Sequence, residues 1–160
     1  MKIQNLKSMK AIVSMMVCLC FMFTTKAQTN TTYDSSLAKK LGGNANGMKN
    51  YVLVILTTGT ADIKDKKITD SLFAGHMSNM DIMAKAGQLA VAGPFGKNDL
   101  GYRGIFILNT NDIEEAKTMV AKDPAVHAGL LGAVYLKWFG SAALMETTDI
   151  HNKIMKPAKP

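Results

Sequence analysis

Apolar positions recur along this chain at different spacings, and each spacing predicts a different element. Tyr51 to Leu56 (YVLVIL) is an unbroken apolar run rich in β-branched residues, which predicts a strand covered on both faces. Between Asp70 and Ala86 the pattern changes to steps of three and four. Leu72, His76, Met80 and Met83 or Ala84 then share one stripe, which predicts a helix capped by Asp70 or Ser71. Gly87 stands where a helix of this kind closes. Leu89 to Ala92 predicts a short strand punctuated by Gly93-Pro94. The turn-rich segment GKNDLG, Gly96 to Gly101, makes Tyr102 to Leu108 its hairpin partner.

A second helix is predicted from Asn111, with Glu114 placed three residues on as in a capping box. Ile113, Ala116, Met119 and Val120 form its apolar face. Pro124 disfavours helical geometry at Asp123, so the helix stops by Lys122. Ala133 to Phe139 (AVYLKWF) predicts a fourth strand. The order β-α-β-β-α-β is the ferredoxin-like arrangement of the α+β class, with both helices on one face of a four-stranded sheet. The first strand lacks polar alternation, so the other face is apolar too. A folding unit of residues 50–144 buries a modest fraction of its surface. A second copy packed sheet against sheet would cover that face, so a homodimer is expected.

The flanks differ in composition. Gln28 to Lys49 is rich in Thr, Asn, Ser and Gly and reads as a flexible polar linker; residues 145–160 read as a frayed C-terminal tail. Residues 1–27 have the zones of a signal peptide: Lys2, Lys7 and Lys10, then the uncharged run Ala11 to Phe23, then Thr25 and Ala27 at small-residue positions before Gln28. The run is shorter than the roughly 20 apolar residues of a spanning helix. Export to the periplasm or beyond is expected, with membrane contact only through an uncleaved leader.

That leader changes the meaning of the charge. The chain carries a formal net charge of +7, but the first 27 residues hold four of its 19 Lys and Arg and no acid. The remainder has 15 basic residues against 12 acidic ones, with no dense basic run, which argues against a nucleic-acid partner. Both cysteines, Cys18 and Cys20, also lie in the leader. A mature chain without cysteine has no disulfide, thiolate nucleophile or thiolate metal site.

His76 is the most informative residue for chemistry, because it interrupts an apolar stripe. It reads either as a core histidine bonded to a backbone carbonyl or as a general acid or base. Asp123 reads as helix-stop chemistry before Pro124 or as a carboxylate that orients His76; sequence spacing does not decide whether the two meet. Gly93, Pro94, Phe95 and Gly96 form a turn, or a place where backbone approaches a ligand. They lack the pattern of a phosphate loop. Arg103, the sole arginine, could hold an anion or pair with an acid. Trp138 reads as core or dimer packing. His127 and His151 make no metal-ligand spacing with His76, and His151 reads as a solvated tail residue.

In order and spacing, several segments resemble the YCII-related (YciI-like) family of dimeric α+β barrels. They are Phe73-Ala74-Gly75-His76-Met77, Gly87 to Phe95 (GQLAVAGPF), Gly101 to Phe106 (GYRGIF), Asp123 to Gly129 (DPAVHAG) and Lys137-Trp138-Phe139-Gly140. The resemblance covers about Asn50 to Leu144. It implies a His–Asp dyad at His76 and Asp123 in a cleft between helix and sheet, with Gly93, Pro94, Phe95 and Arg103 binding a small molecule. One relative class is a dehydrochlorinase acting without a metal or organic cofactor. The exported leader and Met77, where the family often has leucine, depart from the pattern. A cofactor-independent lyase or isomerase on a small, aromatic molecule is therefore one expectation. A non-catalytic ligand-binding dimer is the alternative, and a ligand-free accessory domain held through the Gln28 to Lys49 arm is a third.

Overall fold

A computed structural model describes residues 32–156 of the chain. Contacts divide it into Met1–Asp34, of which only Thr32 to Asp34 are described, and Ser35–Pro160. The expected signal peptide, residues 1–27, lies outside the described residues. Every described helix and strand belongs to the second unit.

Its strands are β1 (Met48–Thr58), β2 (Leu89–Pro94), β3 (Tyr102–Leu108) and β4 (Leu131–Ser141). They form one sheet in the order β2-β3-β1-β4, every neighbouring pair antiparallel. Helices α2 (Lys66–Lys85) and α3 (Ile113–Val120) make the two crossovers, so the ferredoxin-like order read from the sequence is the architecture. The strand pleat sorts the side chains. Val52, Val54 and Leu56 of β1 pack with Phe106, Met83 and Val120 on the helix side. Tyr51 and Ile107 are buried on the other side, with Leu144 and Met145 laid over them.

The helix starts differ by a few residues from those expected. Asp65, not Asp70 or Ser71, caps α2, accepting from the amides of Lys67 at 2.8 Å and Ile68 at 3.4 Å. Asp70 lies one turn inside and pairs with Lys66 at 2.6 Å. Asp112, not Asn111, caps α3 through the Glu114 amide at 2.8 Å, and Glu114 pairs with Lys117 at 2.7 Å instead of closing a capping box. At the other end of α2, Gly87 adopts φ 68°, a left-handed conformation that suits glycine.

The flanks are more ordered than their composition suggests. Ser35–Leu41 forms a short helix, α1, and β1 begins at Met48, inside the segment read as a linker. After β4 a 3-10 turn (Ala142–Glu146) leads into another helix, α5 (Thr147–Ile154), where a frayed tail from residue 145 was expected. The two flanks meet: Lys40 Nζ lies 2.8 Å from Glu146 Oε1. Ser141 also caps the 3-10 turn through the Ala143 amide at 3.3 Å. Among the described residues no helix is long and apolar enough to cross a membrane.

Candidate active site

His76 occupies the stripe of α2 that faces the sheet, between Leu72 and Met80, which pack on the core. Its partner comes from the break after α3. The chain leaves that helix at Ala121, and Pro124 then begins a new four-residue helix, α4 (Pro124–His127). Proline suits this first helical position, where its missing N–H has no intrahelical acceptor to lose. Asp123 is therefore the cap of α4 as well as the stop of α3.

Both carboxylate oxygens of Asp123 are used. Oδ1 accepts from the backbone amides of Ala125 at 2.9 Å and Val126 at 3.4 Å. Oδ2 lies 2.7 Å from His76 Nδ1. The aspartate is completely buried, at 0% exposure, so its orientation is set by these bonds and by packing. The carboxylate can only accept, so Nδ1 carries a hydrogen and donates it. Two aromatic rings hold the imidazole further: Phe106 stacks on it at 5.8 Å between centroids, and Phe73 meets it edge-on at 6.3 Å.

Nε2 is the free end. No hydrogen bond reaches it within the described residues, and no buried side-chain nitrogen or oxygen there lacks a partner. It therefore opens on the cavity that His76 lines. This cavity, about 600 Å³, runs from α2 across β2 to α5. Its walls are largely apolar, with Leu56, Phe73, Met77, Met80 and Phe106 among the lining residues. An imidazole with one nitrogen bonded to a buried carboxylate and the other facing an apolar space can accept a proton from a bound molecule and return it. Among the described residues no three His, Cys, Asp or Glu side chains gather as a metal site would require.

The YCII-related domain model matches residues 51–139, more than half of the chain and all four strands in whole or in part. The chain belongs to the YCII-related domain family. No curated protein matches it. One solved structure similar to it is the 5-chloro-2-hydroxyhydroquinone dehydrochlorinase of Burkholderia phenoliruptrix in complex with 2,5-dihydroxybenzoquinone. It is 21% identical, and the alignment covers 54% of this chain and 92% of that one, with a TM-score of 0.39. That likeness is too distant to carry chemistry across.

Within this YCII-related domain the residues singled out by sequence fall into two groups. His76, Gly93, Pro94 and Arg103 line one cavity, and Asp123 stands directly behind His76. Phe95 does not line it: the ring is 44% exposed and lies 6.2 Å from Tyr102 on the neighbouring strand. The strand ends after Pro94, and Phe95 continues the hairpin through its amide to the Arg103 carbonyl at 2.9 Å. Thr147, Thr148, His151 and Asn152 of α5 also line the cavity. Sequence reasoning placed them in a tail. The signal that could have found them is their spacing, since these four positions fall on one face of a helix.

Proposed function

We propose that this YCII-related protein is a small-molecule enzyme in which His76 moves a proton at a ligand held in the cavity. The observation that carries this is the 2.7 Å bond from His76 Nδ1 to a fully buried Asp123, which leaves Nε2 to the ligand. In the productive step Nε2 takes a proton from carbon or oxygen of the substrate. The electron pair left behind expels a leaving group in a lyase, or shifts the double bond in an isomerase as His76 returns the proton elsewhere. Asp123 stabilises the imidazolium formed in between. Positioned acid–base catalysis of this kind accounts for about 10²- to 10⁴-fold in rate. The step balances without an organic cofactor or a metal ion.

Gly93, Pro94 and Arg103 border the ligand on the sheet side in this reading. The test is a panel of hydroxylated aromatics and small carbon acids incubated with the protein in D2O and followed by proton NMR. Deuterium uptake or a new product that falls about 10²-fold or more in His76→Ala, with circular dichroism unchanged, supports the reading. A ligand that binds equally well to the variant and always returns unaltered makes the protein a non-catalytic binding module instead.

The outer face of the sheet supports the further reading that the molecule works as a homodimer. Val134, Leu136 and Trp138 of β4 stand exposed there beside the half-buried Leu53 and Ile55 of β1. The 3-10 turn covers only the end near Tyr51, Ala90 and Ile107. A contiguous apolar patch of this kind on a sheet is the form of an interface, and a second copy presents the matching surface.

A further inference from the structure

Helix α5 presents polar side chains to the cavity. Thr147, Thr148, His151 and Asn152 line the cavity, Thr148 half-buried and the other three exposed, and Ile150 and Ile154 are 54% and 75% exposed. A surface helix ordinarily buries its apolar stripe and shows water its polar one. Here apolar surface was within reach, because the cavity wall also carries Met77, Met80 and Ala90. The polar groups on the cavity side are therefore the feature to explain.

We infer that α5 is a ligand-binding wall, in which His151, supported by Thr148, hydrogen-bonds an uncharged hydroxyl or carbonyl group at the end of the ligand away from His76. This rests on the proposed function and deepens it by naming the class of molecule: a small, largely apolar body with a neutral oxygen at its far end. The chemistry of the wall sets that class. Hydroxyls, a carboxamide and an imidazole each donate and accept, which suits a hydroxyl or a carbonyl. Charge at the mouth is mixed: Arg103 and Asp81 both border the cavity, and neither forms a salt bridge within the described residues. A carboxylate ligand would gain from one and be repelled by the other.

The helix also lies beyond the residues matched by the family model. The match ends at residue 139 and α5 begins at Thr147. His76 and Asp123 thus lie within the matched residues, and the wall formed by α5 lies outside them.

The experiment measures binding of toluene, p-cresol and 4-methylbenzoate to the intact protein by NMR titration. The variants are His151→Ala, His151→Gln and His76→Ala. The three probes share a body and differ in the group at one end: none, a hydroxyl or a carboxylate. The expected result is that His151→Ala weakens p-cresol roughly three- to tenfold, the worth of one hydrogen bond, and leaves toluene unchanged. His151→Gln restores most of the loss. Equal weakening of toluene and p-cresol would show that α5 only closes the cavity, and an unchanged p-cresol affinity would show that the helix does not read the ligand. A wild-type preference for 4-methylbenzoate, or no binding of any probe, overturns the ligand class. These outcomes are independent of catalysis. A His151-dependent p-cresol site with no turnover of any substrate leaves the wall in place and removes the enzyme.

Discussion

Gly75 and Pro124 touch where α2 crosses α4, so closely that a Cβ on Gly75 would lie 2.7 Å from Pro124 Cγ. These residues immediately precede His76 and follow Asp123. The close approach of the two helices is therefore what brings imidazole and carboxylate to hydrogen-bond distance. A proline ring cannot swing aside as a long side chain can, so any methyl at position 75 must move backbone.

This gives the first prediction. Alanine in a helix interior is normally about 0.5–1 kcal/mol better than glycine. At position 75 the clash outweighs that gain, and Gly75→Ala is expected to destabilise the protein by about 1–3 kcal/mol. It also lengthens the His76–Asp123 bond. Urea denaturation reads the first effect, and the hydrogen-bonded Nδ1 proton of His76 in NMR reads the second. A variant as stable as the parent with that proton unchanged would show that the contact does not set the dyad.

Asp123→Asn separates capping from orientation. The asparagine oxygen can still accept from Ala125 and Val126, but its NH2 then faces His76 and donates where the carboxylate accepted. The imidazole is expected to switch tautomer, with hydrogen on Nε2 and the lone pair on Nδ1. Nitrogen-15 shifts of the ring report the switch directly. If turnover exists, it falls about 10²- to 10⁴-fold while the fold survives. Asp123→Ala is the harsher change, because it leaves buried donors without acceptors and removes a cap, at about 2–4 kcal/mol.

Alkaline pH offers a third test. Burial raises the Tyr51 and Tyr135 phenols above their ordinary value of 10.0. Tyr51 also donates to the Ser141 carbonyl at 3.0 Å. The folded state thus holds these protons to higher pH than the unfolded chain, which releases them from about pH 10. Stability is unaffected below that point and falls as pH rises past it. Denaturation at pH 9 and pH 11 should show the drop, and Tyr135→Phe should reduce it. Tyrosinate absorbance that develops fully at pH 10 in the folded protein would contradict this.

The sheet face supplies the fourth. Leu136 is 45% exposed in one chain, so Leu136→Lys should change monomer stability by no more than about 0.5 kcal/mol. In a sheet-to-sheet dimer the same lysine is buried against apolar surface, and sedimentation should show a monomer. A variant that sediments like the parent removes this face as the interface.

The fold was legible where burial dictates pattern. The YVLVIL run could only be an inner strand, and the stripe holding Leu72, His76 and Met80 could only be a helix laid on it. Gly87 marked its end for a stereochemical reason that sequence displays directly. The boundaries were less legible because several acids compete for each cap: Asp65 and Asp70 precede the same stripe, and the helix takes the earlier one. Asp123-Pro124 read as a stop and is also a start, since the proline ring disfavours helical geometry at Asp123 while its missing N–H is no loss at the first position of the next helix. His76 and Asp123 were legible as candidates, though only the fold shows that they touch. Helix α5 was hidden because its apolar residues, Ile150 and Ile154, do not face the core. A reading that looks for buried stripes passes over it.

The same helix also guards against a different hazard. It contacts β2, which among the described residues is an edge strand hydrogen-bonded to β3 alone. Bare strand edges recruit strands from other molecules, and natural proteins blunt them with a covering element. Cutting the chain after Glu146 would therefore do more than enlarge the cavity mouth. It would leave a row of backbone donors and acceptors open to a neighbouring molecule, and the truncated protein should polymerise edge to edge at concentrations where the full chain stays dispersed.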